Sequence, residues 1–162
     1  MRYPFIVTLA FLIAGCAAGD AAPPPSSAAV ARAPDGAFVV SWTSAGPVDV
    51  WVAASPGGDN RRLISDNDAD GTTTMPAQAT RPYFLLTLDG ETKETGVAER
   101  VLPLEGGRNF RDLGGYPTTD GRVVRWGALY RSGVMHELTD ADYRYLDGLG
   151  IKTVCDFRST VE

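Results

Sequence analysis

The chain has 162 residues, of which 44% are apolar and 22% charged, and its formal net charge is −5 at pH 7. This length suits one or two small domains, and the composition is that of an ordinary globular protein. The acidic balance argues against nucleic-acid binding, because no basic run offsets its repulsion of a phosphate backbone.

The N-terminus has the pattern of an export signal. An apolar run at 5–14 follows a short positive start, and it is too short to span a membrane. The run ends in Ile-Ala-Gly-Cys at 13–16, which resembles a bacterial lipobox, whose cysteine accepts a lipid. We therefore expect 1–15 to be a signal peptide and Cys16 to be lipidated; an ordinary signal peptide is the alternative. Ala17 and Ala18 follow Cys16, with no Asp immediately after the cysteine. In a Gram-negative host we therefore expect an outer-membrane anchor that faces the periplasm.

Residues 16–34 are rich in Ala, Pro and Ser and contain three consecutive prolines. Such a segment buries little apolar surface and stays extended in solvent. We expect a tether between the membrane and the folded part of the chain.

Short strands with turn signals between them dominate residues 35–102. The clearest are β-branched and aromatic runs at 38–42, 48–52 and 83–88, the last followed by Asp89-Gly90, a hairpin dipeptide. The spacing predicts a small antiparallel β-sandwich, and its architecture resembles a fibronectin type III domain.

An acidic run at 66–71 imitates the first half of a calcium loop. The twelfth position is Ala77, however, where a bidentate Glu is needed. We expect a surface turn and no metal site, with a calcium-stabilised adhesion sandwich as the alternative.

The ten residues 107–116 read Gly-Arg-Asn-Phe-Arg-Asp-Leu-Gly-Gly-Tyr, and we call them the motif loop. Their Arg111 has a planar fork that suits a phosphate or a carboxylate. By residue type alone, a structural turn in which an Arg–Asp pair joins two loops is favoured over a binding site. Two further runs follow it, Tyr-Arg-Ser-Gly at 130–133 and Cys-Asp-Phe-Arg-Ser at 155–159.

Together these runs resemble the bacterial tyrosine-phosphatase family that carries an Asn-Phe-Arg-Asp-Leu-Gly-Gly motif. The resemblance implies that residues 103–162 begin an α/β phosphatase domain. It also implies phosphomonoester hydrolysis without metal or cofactor, on a phosphorylated protein or a phosphoinositide. Five residues are then expected to bind substrate: Asn109, Arg111, Asp112, Arg131 and Arg158.

A helix and a strand are predicted after the motif loop. Thr139 is a good N-cap, Asp142 occupies the capping-box position, and a glycine at 148 or 150 can end the helix. Residues 151–157 then read as a buried strand, and Asp156 lies at its C-terminal end, where open α/β sheets bind ligands. Asp156 is thus the candidate catalytic acid.

The nucleophile of such an enzyme is a cysteine with an arginine six positions later. Cys16 is followed at that distance by Ala22 and Cys155 by Val161, so neither fits. We expect the nucleophile beyond residue 162 and expect the chain as given to be an inactive fragment. His136, the single histidine, is expected to lie in a loop without a catalytic role.

The predicted fold class is therefore α+β, with a small antiparallel β-sandwich followed by the start of an incomplete α/β phosphatase domain. The leading function is an exported phosphatase. The alternative is a non-catalytic surface or binding lipoprotein that uses the sandwich.

Overall fold

The computed structural model describes residues 27–157, which form mostly antiparallel β-structure with one short helix. The predicted α+β class is confirmed. Seven strands make up the sandwich: β1 Ser27–Arg32, β2 Phe38–Thr43, β3 Val48–Ala53, β4 Arg62–Asp68, β5 Thr72–Met75, β6 Tyr83–Leu88 and β7 Glu94–Ala98. The later elements are the two-residue strands β8 Arg111–Asp112 and β9 Tyr130–Arg131, and the helix α1 Asp140–Gly148.

The seven longer strands form two antiparallel sheets with the orders β1-β2-β5 and β4-β3-β6-β7. The chain crosses between the sheets after β2, after β4 and again after β5. One apolar core cluster lies between the sheets, with the rings of Phe38 and Phe84 6.2 Å apart. The predicted strands at 38–42, 48–52 and 83–88 are present as β2, β3 and β6.

The alternation of apolar and polar residues along the strands explains which side chains are buried in the core. Phe38, Val40 and Trp42 are buried on one face of β2, while the residues between them are more exposed. In β3, Val48 and Val50 are completely buried. The turn at 89–90 closes the β6–β7 hairpin, and Gly90 there has a φ of 78°, which glycine adopts without steric cost.

The strand β1 lies in a segment for which the sequence predicted a tether. It occupies 27–32, within the segment whose composition predicted an extended, solvated chain, and it pairs with β2 over its whole length. Its Ala28 and Val30 are partly buried against the core. Arg32 fixes the end of the strand by a two-pronged ion pair with the buried Glu99, with Nη2 2.6 Å from Oε2.

The acidic run at 66–71 forms the end of β4 and the turn to β5. Within the run, Asp68 Oδ1 accepts from the Asp70 N–H at 2.8 Å, and Asp49 Oδ1 of β3 accepts from the Asn67 N–H at 2.8 Å. Among residues 27–157, no group of three or more His, Cys, Asp or Glu side chains could hold a metal ion.

The segment after residue 100 packs against the sandwich. Trp126 is 8% exposed and belongs to the same core cluster as the sandwich strands. Its Nε1–H donates to the carbonyl oxygen of Gly96 at 2.9 Å. Trp126 is therefore part of the sandwich core.

The helix α1 begins as predicted. Thr139 is the N-cap, and both hydrogen bonds of the capping box with Asp142 are present. The chain turns at Gly150, which has a φ of 69°.

One predicted strand is wrong. Residues 151–157 form no strand, with Val154 83% and Phe157 95% exposed. A β-strand is stable only when a neighbouring strand hydrogen-bonds to its backbone. Within residues 27–157, no strand pairs with 151–157.

The shared core predicts that the sandwich and the later segment unfold together. Replacing Trp126 with Ala should lower the free energy of unfolding by about 3–5 kcal/mol, because a large buried ring is lost from the common core. Urea unfolding measures the change. Trp51→Ala, at a partly exposed tryptophan that stacks with Arg61, is the matched control and should cost less. Equal losses for the two variants, or separate transitions for the two segments, would contradict the shared core.

Candidate functional site

Backbone pairing on both sides holds the motif loop. On one side, the Leu102 N–H donates to the Phe110 carbonyl at 3.0 Å and the Asp112 N–H to the Arg100 carbonyl at 2.9 Å. On the other side, β8 pairs with β9. Asn109 begins this region in a left-handed conformation, with a φ of 57°. The motif loop is thus tied directly to the end of the sandwich.

The centre of the loop is Asp112, whose side chain is completely buried. Its Oδ1 accepts from the Gly114 N–H at 2.7 Å, and its Oδ2 accepts from the Gly127 N–H at 2.8 Å. Oδ2 also lies 2.7 Å from Nη1 of Arg81. Asp112 thus holds two stretches of backbone and a buried cation, and no solvent-exposed atom of it is available to a substrate here.

Arg81 is the residue that sequence reasoning missed. It lies just before β6, is 6% exposed, and donates from Nη2 to the Glu99 carbonyl at 2.7 Å. Burial is the largest single influence and would lower the pKa of its guanidinium. The hydrogen bond to Asp112, together with the charges of Asp112, Tyr83 and Tyr130, outweighs burial, and the pKa is raised. Arg81 therefore stays charged. No periodicity or motif marks this position, because its role depends on a residue 31 positions later.

Arg100 and Trp126 contact the backbone around the two adjacent glycines of the motif loop, Gly114 and Gly115. Arg100 donates to the carbonyls of Asp112 at 2.9 Å and Gly114 at 3.0 Å, and its guanidinium stacks 4.8 Å from the Trp126 ring. A Cβ at Gly114 would lie 2.5 Å from the Cα of Trp126. Only glycine permits this close approach of backbone and indole.

The outward side of the loop carries polar groups. Asn109 is exposed and accepts a hydrogen bond from Nη2 of Arg111. Arg111 is directly opposite Arg131 in the β8–β9 pair, and Arg131 is exposed. Two like charges at opposite positions of a strand pair repel each other unless an anion lies between them. The Nε of Arg111 is buried and has no hydrogen-bond partner among the described residues.

The remaining candidates lie outside the β8–β9 strand pair. Asp156 is exposed within 151–157, outside any strand, so its expected place at the C-terminal end of a sheet is not formed. Cys155 is an exposed free thiol. Arg158 and Cys16 lie outside the described residues. His136 is exposed, and its Nε2 is 3.7 Å from a carboxylate oxygen of Glu137.

Asp142 has a second role besides capping α1. It is 2% exposed, and it accepts from the backbone N–H groups of Glu105 and Gly106, both at 2.8 Å. Burial alone would raise the pKa of this carboxyl. The hydrogen bonds from Gly106, Thr139 and Glu105 outweigh burial and lower the pKa below its ordinary value. Asp142 thus fastens α1 to the chain just before the motif loop.

Comparison with known proteins concerns this same part of the chain. Residues 102–162 match the model of the tyrosine phosphatase family. Over 54 residues the chain is also 50% identical to a proposed tyrosine-protein phosphatase of Cupriavidus necator. These matches support a tyrosine phosphatase family. The second one covers 33% of this chain and 20% of the relative, so the chain spans about a fifth of that phosphatase's length. No solved structure matches the chain.

The Arg81–Asp112 pair predicts a large effect of removing the carboxylate alone. Asp112→Ala should lower the free energy of unfolding by about 3–5 kcal/mol, because it leaves a buried guanidinium uncompensated. Urea unfolding measures this. Asp120→Ala, which breaks the exposed pair with Arg122, is the control and should change stability much less. In a double-mutant cycle with Arg81→Met, additive losses would contradict direct coupling.

The lowered pKa of Asp142 predicts a pH dependence. A carboxyl with a depressed pKa contributes stability that is present above its unfolded pKa, near pH 4, and is lost as the pH falls through the folded value. Asp142→Asn should therefore be less stable than the wild type at pH 7, and the difference should shrink on acidification. Thermal melts from pH 7 to pH 3 test this. A difference that is constant over this range would contradict the assignment.

Proposed function

We propose that this chain is the N-terminal part of an exported phosphatase that hydrolyses phosphomonoesters through a cysteine nucleophile located beyond residue 162. The support is the match of residues 102–162 to the tyrosine phosphatase family, together with the opposed pair Arg111 and Arg131. No metal or cofactor is part of the proposed reaction.

The two arginines carry the substrate-binding part of the proposal. Their guanidinium groups extend from opposite positions of β8 and β9, where their mutual repulsion is relieved by a bound dianion. Asn109 accepts a hydrogen bond from Arg111 and so orients its fork. We propose that Arg111, Arg131 and Arg158 contact the phosphate, and that Asp112 acts indirectly by holding the loop.

The reaction then needs a thiolate that attacks phosphorus and an acid that protonates the leaving oxygen. Cys155 lacks an Arg six positions later, because that residue is Val161. The proposal therefore assigns the nucleophile to polypeptide that follows residue 162. Asp156 is the proposed acid, one residue after Cys155 and two before Arg158. The substrate is a phosphorylated protein or a phosphoinositide.

The N-terminal part of the proposal concerns placement. The two-sheet order with three crossings supports a fibronectin type III-like module that lies between the membrane and the phosphatase segment. Export and a lipid on Cys16 rest on the sequence pattern of residues 1–16 alone. In the described range, no helix is long and apolar enough to cross a membrane.

A non-catalytic binding lipoprotein is the second candidate. The observation that favours it is the well-packed sandwich core, which includes seven completely or nearly completely buried apolar side chains: Phe38, Val40, Val48, Val50, Phe84, Leu86 and Ala98. Such a core could support a binding surface without any reaction.

Phosphatase assays distinguish the two candidates. The 162-residue chain should not hydrolyse p-nitrophenyl phosphate, whereas the polypeptide encoded by the gene read past codon 162 should do so with vanadate sensitivity. In that longer protein, Arg111→Gln and Arg131→Gln should each lower kcat/KM by about tenfold to a hundredfold, because each removes a charged hydrogen bond to phosphate.

Arg122→Gln, at an exposed arginine paired with Asp120, is the matched control and should leave kcat/KM unchanged. Turnover by the 162-residue chain would show that the nucleophile is misassigned. An inactive longer protein, or a stop codon directly after codon 162, would favour the binding lipoprotein.

A further inference from the structure

Arg81 contacts the motif loop from outside the segment that matches the tyrosine phosphatase family, which begins at residue 102. Groups of the sandwich hold it just before β6. Its Nη2 donates to the Glu99 carbonyl at 2.7 Å, and its Nη1 donates to the Tyr83 hydroxyl at 3.3 Å. The Cζ of Arg81 also lies 5.0 Å from the centroid of the Tyr83 ring. The sandwich therefore fixes the position of this cation beside the motif loop.

One nitrogen atom of Arg81 contacts both strands of the β8–β9 pair. Nη1 donates to Asp112 Oδ2 in β8 at 2.7 Å and to the Tyr130 hydroxyl in β9 at 3.5 Å. Asp112 and Tyr130 are register partners, so their side chains lie on the same face of the pair, which we call the inner face. Arg81 therefore joins the two strands on their inner face.

The outer face of the same pair carries two of the arginines proposed to bind phosphate. Arg111 and Arg131 are the neighbouring register partners, one residue along each strand from Asp112 and Tyr130. Successive side chains of a strand point to opposite faces, so both arginines are on the outer face. Like charges at opposite positions repel each other, and this repulsion acts to separate β8 from β9. Each strand has only two residues, so few backbone hydrogen bonds resist it.

We propose that Arg81 is a positioning residue for phosphate binding. It holds β8 and β9 together from the inner face, so that Arg111 and Arg131 stay opposite each other and one phosphate dianion contacts both. The sandwich thereby contributes to substrate binding. This inference rests on the proposed function, because it requires the two arginines to bind phosphate.

Hydrogen exchange of the 162-residue chain tests whether Arg81 holds the strand pair. The Leu113 and Gly133 amides flank the pair; they donate to the Leu129 carbonyl at 2.9 Å and to the Arg108 carbonyl at 2.8 Å. Arg81→Lys keeps the charge but loses the planar fork. It should speed the exchange of both amides about tenfold or more relative to the wild type.

Val40→Ala is the matched control for a loss of global stability. It removes buried volume from β2, which pairs with β1 and β5. After correction for the free energy of unfolding of each variant, Arg81→Lys should speed the exchange of the Leu113 and Gly133 amides at least about fivefold more than Val40→Ala does.

A second substitution distinguishes positioning from a merely structural role. Arg131→Gln removes the repulsion that Arg81 resists. In the Arg81→Lys background it should slow the exchange of the Leu113 and Gly133 amides about twofold to fivefold, and in the wild-type background it should change their exchange less. An equal effect in the two backgrounds would contradict the positioning role.

Tyr130→Phe decides the question if Arg81→Lys fails to fold. This variant keeps the ring that stacks on Phe110, with centroids 5.4 Å apart, and loses the hydroxyl that contacts Arg81. The Leu113 and Gly133 amides should then exchange about threefold faster than in the wild type. Unchanged exchange would show that Arg81 does not hold β9.

Kinetics of the longer protein separate this inference from the proposed function. Arg81→Lys should lower kcat/KM for p-nitrophenyl phosphate about tenfold, with the same division between KM and kcat as Arg131→Gln, and Val40→Ala should leave kcat/KM unchanged. If Arg111→Gln lowers kcat/KM and Arg81→Lys does not, the positioning role is overturned and the proposed function stands.

An inactive longer protein would overturn the proposed function, and with it a role of Arg81 in phosphate binding. Hydrogen exchange would then still decide whether Arg81 holds the β8–β9 pair. Exchange in Arg81→Lys that matches exchange in Val40→Ala would overturn the inference, whatever the activity of the longer protein.

Discussion

The buried ion pair between Arg81 and Asp112 is the interaction on which the rest of the structure depends. A guanidinium and a carboxylate that are both almost completely buried destabilise a protein unless they pair with each other. Further hydrogen bonds join this pair to backbone groups of Glu99, Gly114 and Gly127, while the Nε of Arg81 has no partner among the described residues. The pair therefore fixes the loop before β6, the end of the sandwich and the motif loop in one arrangement.

This arrangement divides the motif loop into a supporting side and an outward side. Arg111 and Asp112 are neighbours in a strand, so their side chains point in opposite directions. Asp112 points into the protein and holds the backbone, while Arg111 lies opposite Arg131 on the outer side. A motif that looks like one polar cluster in the sequence thus contains residues with different physical tasks. The glycines that follow are needed because Trp126 packs directly on them.

Local signals predicted those elements whose stability is local. The capping box at Thr139 and Asp142 specified the start of α1, and apolar alternation specified β2 and β3. The strand expected at 151–157 was wrong because strand formation requires a neighbour, which apolar composition does not provide. The strand β1 was not predicted, because its Ala-rich sequence has little strand propensity. Pairing with β2 and the Arg32–Glu99 ion pair hold it in the sheet.

The sequence by itself determined the fold class, the helix start, and the residues of the motif loop that carry the family resemblance, because these depend on residue types at fixed short spacings. Only the tertiary structure decided that Asp112 is buried, that Arg81 is its partner, and that Trp126 joins the core of the sandwich. These contacts link positions that lie 15 to 31 residues apart, with no periodic relation. Such pairings follow from how the sheets pack, and no local pattern encodes them.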